Sequence, residues 1–192
     1  GVLAAGAVLP VTTPGLLMRA PGMLLNPDSP LFLKWSYSPK LLPFLMKYLP
    51  HATDAHVDHY ARVMASLLHD TVEQHVQLAQ GTGAEKYIGT EDYCFGYASH
   101  AEFEADGYGW EKRKAAGVDY EVVDGQSYAQ DDPSFGSAFE TVVRCKNHGR
   151  ISDPGKYVQA LADHFVAQGG TLTIAQIDDV EMDGPAIAAL RT

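Results

Sequence analysis

Apolar residues recur at three- and four-residue steps through residues 54–79, at Val57, Tyr60, Ala61, Met64, Leu67, Leu68, Thr71, His75 and Leu78. That spacing draws a single stripe along one α-helix. Thr53 and Asp54 offer its N-cap, and Gly81-Thr82-Gly83 ends it. Residues 87–98 read as a strand holding Tyr87, Ile88, Tyr93, Phe95 and Tyr97. Ser99 then caps a helix expected to reach 116 and to stop at Gly117, with Gly107 and Gly109 as weak points inside it. Residues 118–123 and 137–146 read as strands, with a helical turn at 126–130 between them. A last helix begins with Ser152 or Asp153 as N-cap and Pro154 near its first position. Tyr157, Val158, Leu161, Ala162 and Phe165 form its apolar face, and Gly169-Gly170 closes it. Residues 171–177 and 179–190 read as strands, the second run turning at Asp183-Gly184.

Residues 1–50 behave differently. They carry Pro10, Pro14, Pro21, Pro27, Pro30, Pro39, Pro43 and Pro50, which exclude long helices and central strands. An irregular arm is expected, with short helical pieces at 30–37 and 39–49. Its Leu, Met, Trp and Phe content is too apolar for a disordered linker, so the arm must pack on something. Strands and helices mix without regular βαβ alternation, which predicts an α+β fold with a mixed or antiparallel sheet covered by helices.

A net charge of −10 argues against nucleic-acid binding and against docking on an anionic membrane. No apolar run is long enough to span a bilayer. The two cysteines, Cys94 and Cys145, lack disulfide-framework or C-x-x-C spacing, and they point to buried thiols in a reducing, cytoplasmic compartment.

Candidate chemistry is sparse. His56-x-x-His59 has a ligand-like spacing, but without H-E-x-x-H it reads as a wet helix face, and no metal site is expected. His75, on the apolar stripe, reads as a hydrogen-bonded core histidine. There is no G-x-S-x-G elbow, and Gly81-x-Gly83 follows a helix, so it is no phosphate loop. No catalytic residue can be assigned. Tyr93 and Tyr97 stand four apart on one strand and share a face, where they could line a substrate pocket or pack a sheet. Arg144 and Arg150 are the arginines best placed to clamp a carboxylate.

The chain resembles the FAD-dependent D-amino-acid dehydrogenase branch of the D-amino-acid oxidase/glycine oxidase superfamily. Gly1-Val2-Leu3 is similar to the end of that family's Asn-Ala-Gly flavin-contact segment. Pro10, Thr13-Pro14, Pro21-Gly22 and Pro30-Leu31 to Lys34-Trp35 resemble the proline-rich arm that follows it. Ala116-Gly117-Val118 through Val123 resembles a recurrent helix-to-strand step, and 149–170 the helix that returns to the FAD domain. Ile177 falls where the family places an adenine-contacting backbone position. His148-Gly149-Arg150 stands where the dehydrogenases commonly carry a more acidic stretch.

The resemblance implies residues 1–50 as the arm leaving the FAD domain, 51–148 as substrate domain, and 149–192 as an incomplete return into the α/β FAD domain. It implies a parent enzyme that oxidises the C–N bond of a small amino acid, D-amino acid to 2-oxo acid and ammonia, by hydride transfer to flavin. Gly1, Val2 and Ile177 would touch FAD, and Tyr93, Tyr97, Arg144 and Arg150 the substrate. The electron acceptor is left open, and the parent could make a peripheral membrane contact. Without a G-x-G-x-x-G fingerprint the chain is expected to be an internal fragment, inactive by itself, unable to hold FAD and prone to self-association. The alternative is a self-contained ligand- or partner-binding module that docks through its apolar arm.

Overall fold

The computed structural model describes residues 1–15 and 35–192. The expectations that fall on 16–34, including Pro21-Gly22, most of the helical piece at 30–37 and the run from Pro30 to Lys34, lie outside the described residues.

The fold is α+β, and every ladder among the described residues is antiparallel. Strand β1 (Val2–Leu3) lies at one edge of a three-stranded sheet whose centre is β6 (Gly149–Ile151) and whose other edge is β2 (Ile88–Thr90). A second sheet orders β3 (Tyr93–Tyr97), β5 (Thr141–Cys145) and β4 (Tyr120–Asp124) with β5 central. Residues 146–148 join β5 to β6, so each sheet donates its middle strand to one short connection. Strands β7 (Asp179–Asp183) and β8 (Ala186–Arg191) form a separate hairpin, exposed throughout.

Seven α-helices surround the sheets in the described residues. Helix α1 spans Ser38–Tyr48 and α2 Asp54–Leu68, the latter capped by the Thr53 hydroxyl accepting from the His56 amide. The stripe expected to run unbroken to 79 instead divides at His69-Asp70, and α3 (Thr71–Ala79) starts afresh. Aspartate competes with the backbone in helix interiors. The Asp70 carboxylate accepts from Gln74 Nε2 at 2.7 Å, and this bond holds its pKa below the ordinary range. The helix expected over 99–116 divides in the same way at Asp106-Gly107, into α4 (His100–Ala105) and α5 (Gly107–Ala115). Helix α6 (Gly125–Asp131) follows β4. Helix α7 (Pro154–Ala167) has the expected Asp153 cap and Pro154 at its start. Gly170 N–H donates to Phe165 O and Gly169 adopts φ 91°, which closes α7 with a left-handed turn.

Two cores result. Leu3, Ala79, Ala84, Ile151 and Tyr157 bury the inner face of the first sheet against α3 and α7. Trp110, Val143 and Cys145, with Phe95, Tyr97, Phe103 and Tyr120, bury the second sheet against α4 and α5. His75 sits beside the first core with Nδ1 2.8 Å from the Tyr157 hydroxyl. Residues 171–177, expected as a strand, form no regular element, because they have no partner strand among the described residues.

Candidate functional site

Strand parity separates the two faces of the first sheet. Leu3 and Ile151 point into the core, so Val2 and its cross-strand partner Arg150 point out, with Gly89 beyond Arg150 in the same row. Gly1 and Ile151 exchange both backbone hydrogen bonds, each 2.7 Å. The next pair, Val2 and Arg150, is therefore non-hydrogen-bonded, and the Val2 N–H and C=O turn outward at a sheet edge that no strand among the described residues covers.

Arg150 lies flat along this outer face. Its Nε donates to both carboxylate oxygens of Glu91 at 2.9 and 2.8 Å, and the side chain stays 57% exposed. Its two Nη groups have no partner among the described residues, so a bidentate site for a carboxylate is open. Gly89 makes this posture possible: a Cβ there would lie 3.0 Å from Glu91 Oε1 and 3.3 Å from Arg150 Cγ.

Glu91 also lines a cleft of about 750 Å³, together with Asp70, Glu73, Asp92, His69 and His148. Four carboxylates give the cleft a negative potential, next to the cationic Nη groups of Arg150. Opposite charges thus stand side by side on this face.

His148 forms the floor of this region. It is 4% exposed, it is held by Lys146 O at Nδ1 (2.8 Å) and by the Gly6 amide at Nε2 (3.1 Å), and its ring stacks on Tyr93. Glu91 N–H donates to His148 O at 3.1 Å.

The residues expected at the site therefore divide. Gly1, Val2 and Arg150 share one small sheet, and Tyr93 adjoins it through His148. Tyr97 turns into the second core, where its hydroxyl donates to Asp106 (2.7 Å) and accepts from Trp110 Nε1 (2.8 Å). Burial, then the Asp106 bond, pushes its pKa up to about 12. Arg144 pairs with Cys94 and not with a tyrosine, which sets it on the opposite face of the second sheet. There it binds Asp131, lies 3.9 Å from Glu121 and covers the Tyr128 ring. Ile177 is exposed in the irregular stretch before β7. Gly6, Gly89 and Glu91 escaped the sequence reading, which singles out His148 only as part of the His148-Gly149-Arg150 stretch and gives it no role. Each acts through a partner far along the chain, and no local spacing marks such a pair.

Burial pushes the Cys94 thiol up and the Cys145 thiol up to about 11, so neither is an activated nucleophile. Among the described residues no group of three or more His, Cys, Asp or Glu side chains is placed to hold a metal ion. Nor is any helix there long and apolar enough to cross a membrane.

The chain is similar along its whole length to the D-amino-acid oxidase of Bradyrhizobium diazoefficiens, at 34% identity over 193 residues that cover 100% of this chain and 46% of that protein. It is 27% identical over 197 residues to the D-amino acid dehydrogenase of Phenylobacterium zucineum, with the same coverage of 100% and 46%. The chain thus spans about half the length of the curated relatives it matches. Among solved structures, the glycine oxidase of Bacillus cereus aligns at TM-score 0.48 and 13% identity, over 62% of this chain and 33% of that one. The L-proline dehydrogenase of P. horikoshii aligns at TM-score 0.46 and 15% identity, over 67% and 34%. No family model matches the chain.

Proposed function

Because the chain belongs to the superfamily of D-amino-acid oxidases and dehydrogenases, aligning with its members from end to end, we propose that it is the substrate-facing section of an FAD-dependent oxidoreductase. The reaction is oxidation of the C–N bond of a small amino acid, a D-amino acid giving a 2-oxo acid and ammonia. The observation that carries the reading is the outer face of the first sheet. It joins outward backbone groups at Val2 to the Arg150 guanidinium, whose Nε holds Glu91 and whose two Nη groups have no partner among the described residues, beside an acidic cleft.

On this reading residues 1–50 are the arm from the cofactor domain, 51–148 the substrate domain, and 149–192 the return. The residues present fit one part of FAD. The Val2 N–H and C=O, at the sheet edge, suit the hydrogen-bonding rim of a flavin ring, with Gly1 beside them and Ile177 offering backbone further along. They do not supply the glycine-rich turn that grips a diphosphate, so this section alone is proposed not to retain FAD. When bound, FAD accepts the hydride released from the substrate α-carbon.

The chain's own residues bind and orient. Arg150 holds the substrate carboxylate, Glu91 fixes the Arg150 side chain, and Tyr93 supports the cleft through its stacking on His148. Tyr97 and Arg144 support the second sheet from its two faces. The free thiols Cys94 and Cys145 suit a reducing compartment, and we place the enzyme in the cytoplasm.

The test is to express the complete reading frame that contains these residues and to measure bound flavin after purification. Stoichiometric FAD is expected. A colourless, folded product that takes up no FAD on reconstitution would overturn the proposal.

A further inference from the structure

His148 is tied on both ring nitrogens. The Gly6 N–H donates to Nε2, which must therefore be bare, so the proton sits on Nδ1 and is donated to the Lys146 carbonyl. The two bonds select one tautomer. The ring is also closely fitted, since a Cβ on Gly6 would meet Nε2 and Cε1 at 3.1 Å and Val118 Cγ1 at 3.3 Å. One side chain thus joins the segment that carries Val2 to the connection between the two central strands, 142 positions away. Through its stacking on Tyr93 it reaches the second sheet as well.

We propose that His148 is the positioning residue that seats residues 1–8 against the substrate sheets, accepting from Gly6 at Nε2 as the Nδ1–H tautomer. The functional consequence rests on the reading of Val2 as a flavin-rim contact: loss of the Gly6–His148 bond unseats the strand that would meet the cofactor.

The contact is local. The alternative tautomer, with its hydrogen on Nε2, would put two N–H groups face to face at a hydrogen-bond distance, and the Gly6 bond would become a repulsion. Lys146, whose carbonyl receives Nδ1–H, is itself fixed: its amide donates to Asp119 O and its Nζ to Asp92 (2.7 Å) and Glu121 (2.9 Å).

Amide exchange in the 192-residue chain reads this without any flavin. Protection at the Gly6 amide should fall about 10-fold or more in His148→Leu, which offers no acceptor. Val143 in β5 should not move. His148→Gln keeps one acceptor and one donor, so it should hold Gly6 protected. Nitrogen-15 shifts of the wild-type imidazole should show a bare Nε2. This wild-type reading decides the matter even if a variant fails to fold. An Nε2–H tautomer, or full protection in His148→Leu, would overturn the clamp. A clamp that behaves as stated in a protein that never takes flavin would instead overturn the proposed function and leave the clamp standing.

Discussion

Val2 stands directly opposite Arg150 across the β1–β6 ladder, and both face away from the core. The neighbouring Gly89 leaves room for the Arg150–Glu91 pair to lie flat along the sheet. If the free Nη groups hold a substrate carboxylate, Arg150→Gln in the complete enzyme should raise KM with a smaller change in kcat. Loss of a charged hydrogen-bonded pair is worth about 1.5–3 kcal/mol, or roughly 10- to 100-fold. Arg150→Lys should recover only part of it, since an ammonium lacks the planar fork. Steady-state kinetics on the three forms decides this, and an unchanged KM in Arg150→Gln would remove the clamp.

Trp110 is 2% exposed, packs edge-on against Phe95 and donates to the Tyr97 hydroxyl. Trp110→Ala should destabilise the chain by about 3–5 kcal/mol through the cavity left behind. The urea midpoint measures it. A loss below about 1 kcal/mol would mean that the second core does not depend on this ring.

Arg113 has buried Nε and Nη1 groups with no hydrogen-bond partner among the described residues. Its guanidinium stacks on Trp110 at 4.6 Å and Phe95 at 5.3 Å. The cation–π gain of about 0.5–2 kcal/mol offsets an unsatisfied-donor cost of about 1–3 kcal/mol, so the two nearly cancel. Arg113→Met, which keeps the packing and removes the donors, should leave the unfolding midpoint unchanged or raise it.

Acid should loosen the helix starts. Asp124 is held below the ordinary aspartate range by hydrogen bonds from the Ser127 hydroxyl and then the Ser127 amide. Asp153 is held low by the Lys156 amide first and its ammonium second. Both pKa values are lowered on folding, so their stabilisation is present above the unfolded value of about 3.9 and is lost as pH falls through the lower folded values. The urea midpoint should change little through this cause above about pH 5 and decline below about pH 4. Asp124→Asn/Asp153→Asn, which caps without titrating, should flatten that decline.

Caps were the legible part of the fold. Thr53, Ser99 and Asp153-Pro154 start helices where their side chains announce them, because capping is settled within three residues. Helices that apolar spacing alone runs together divide at Asp70 and Asp106, whose carboxylates bind the Gln74 and Tyr97 side chains, since periodicity cannot register a break between two apolar stripes that stay in phase. Strands β1 and β6 are too short to show alternation, yet their pairing builds the outer face. Cys94, not Tyr93 or Tyr97, pairs with Arg144. That register separates the expected tyrosine–arginine pocket into two faces, and register is a property of the partner strand that no single stretch of sequence carries. Arg150 could be picked out by its residue type. Glu91 and Gly89, which set its surroundings, could not, and neither could the contacts that His148 makes.

The most direct test is anaerobic mixing of the complete, FAD-loaded protein with a panel of D-amino acids while the visible flavin band is followed. Bleaching by at least one of them, with one equivalent each of ammonia and 2-oxo acid per flavin, is the expected result. A flavin that no amino acid of either hand reduces would contradict an amino-acid oxidoreductase built on the Val2–Arg150 face.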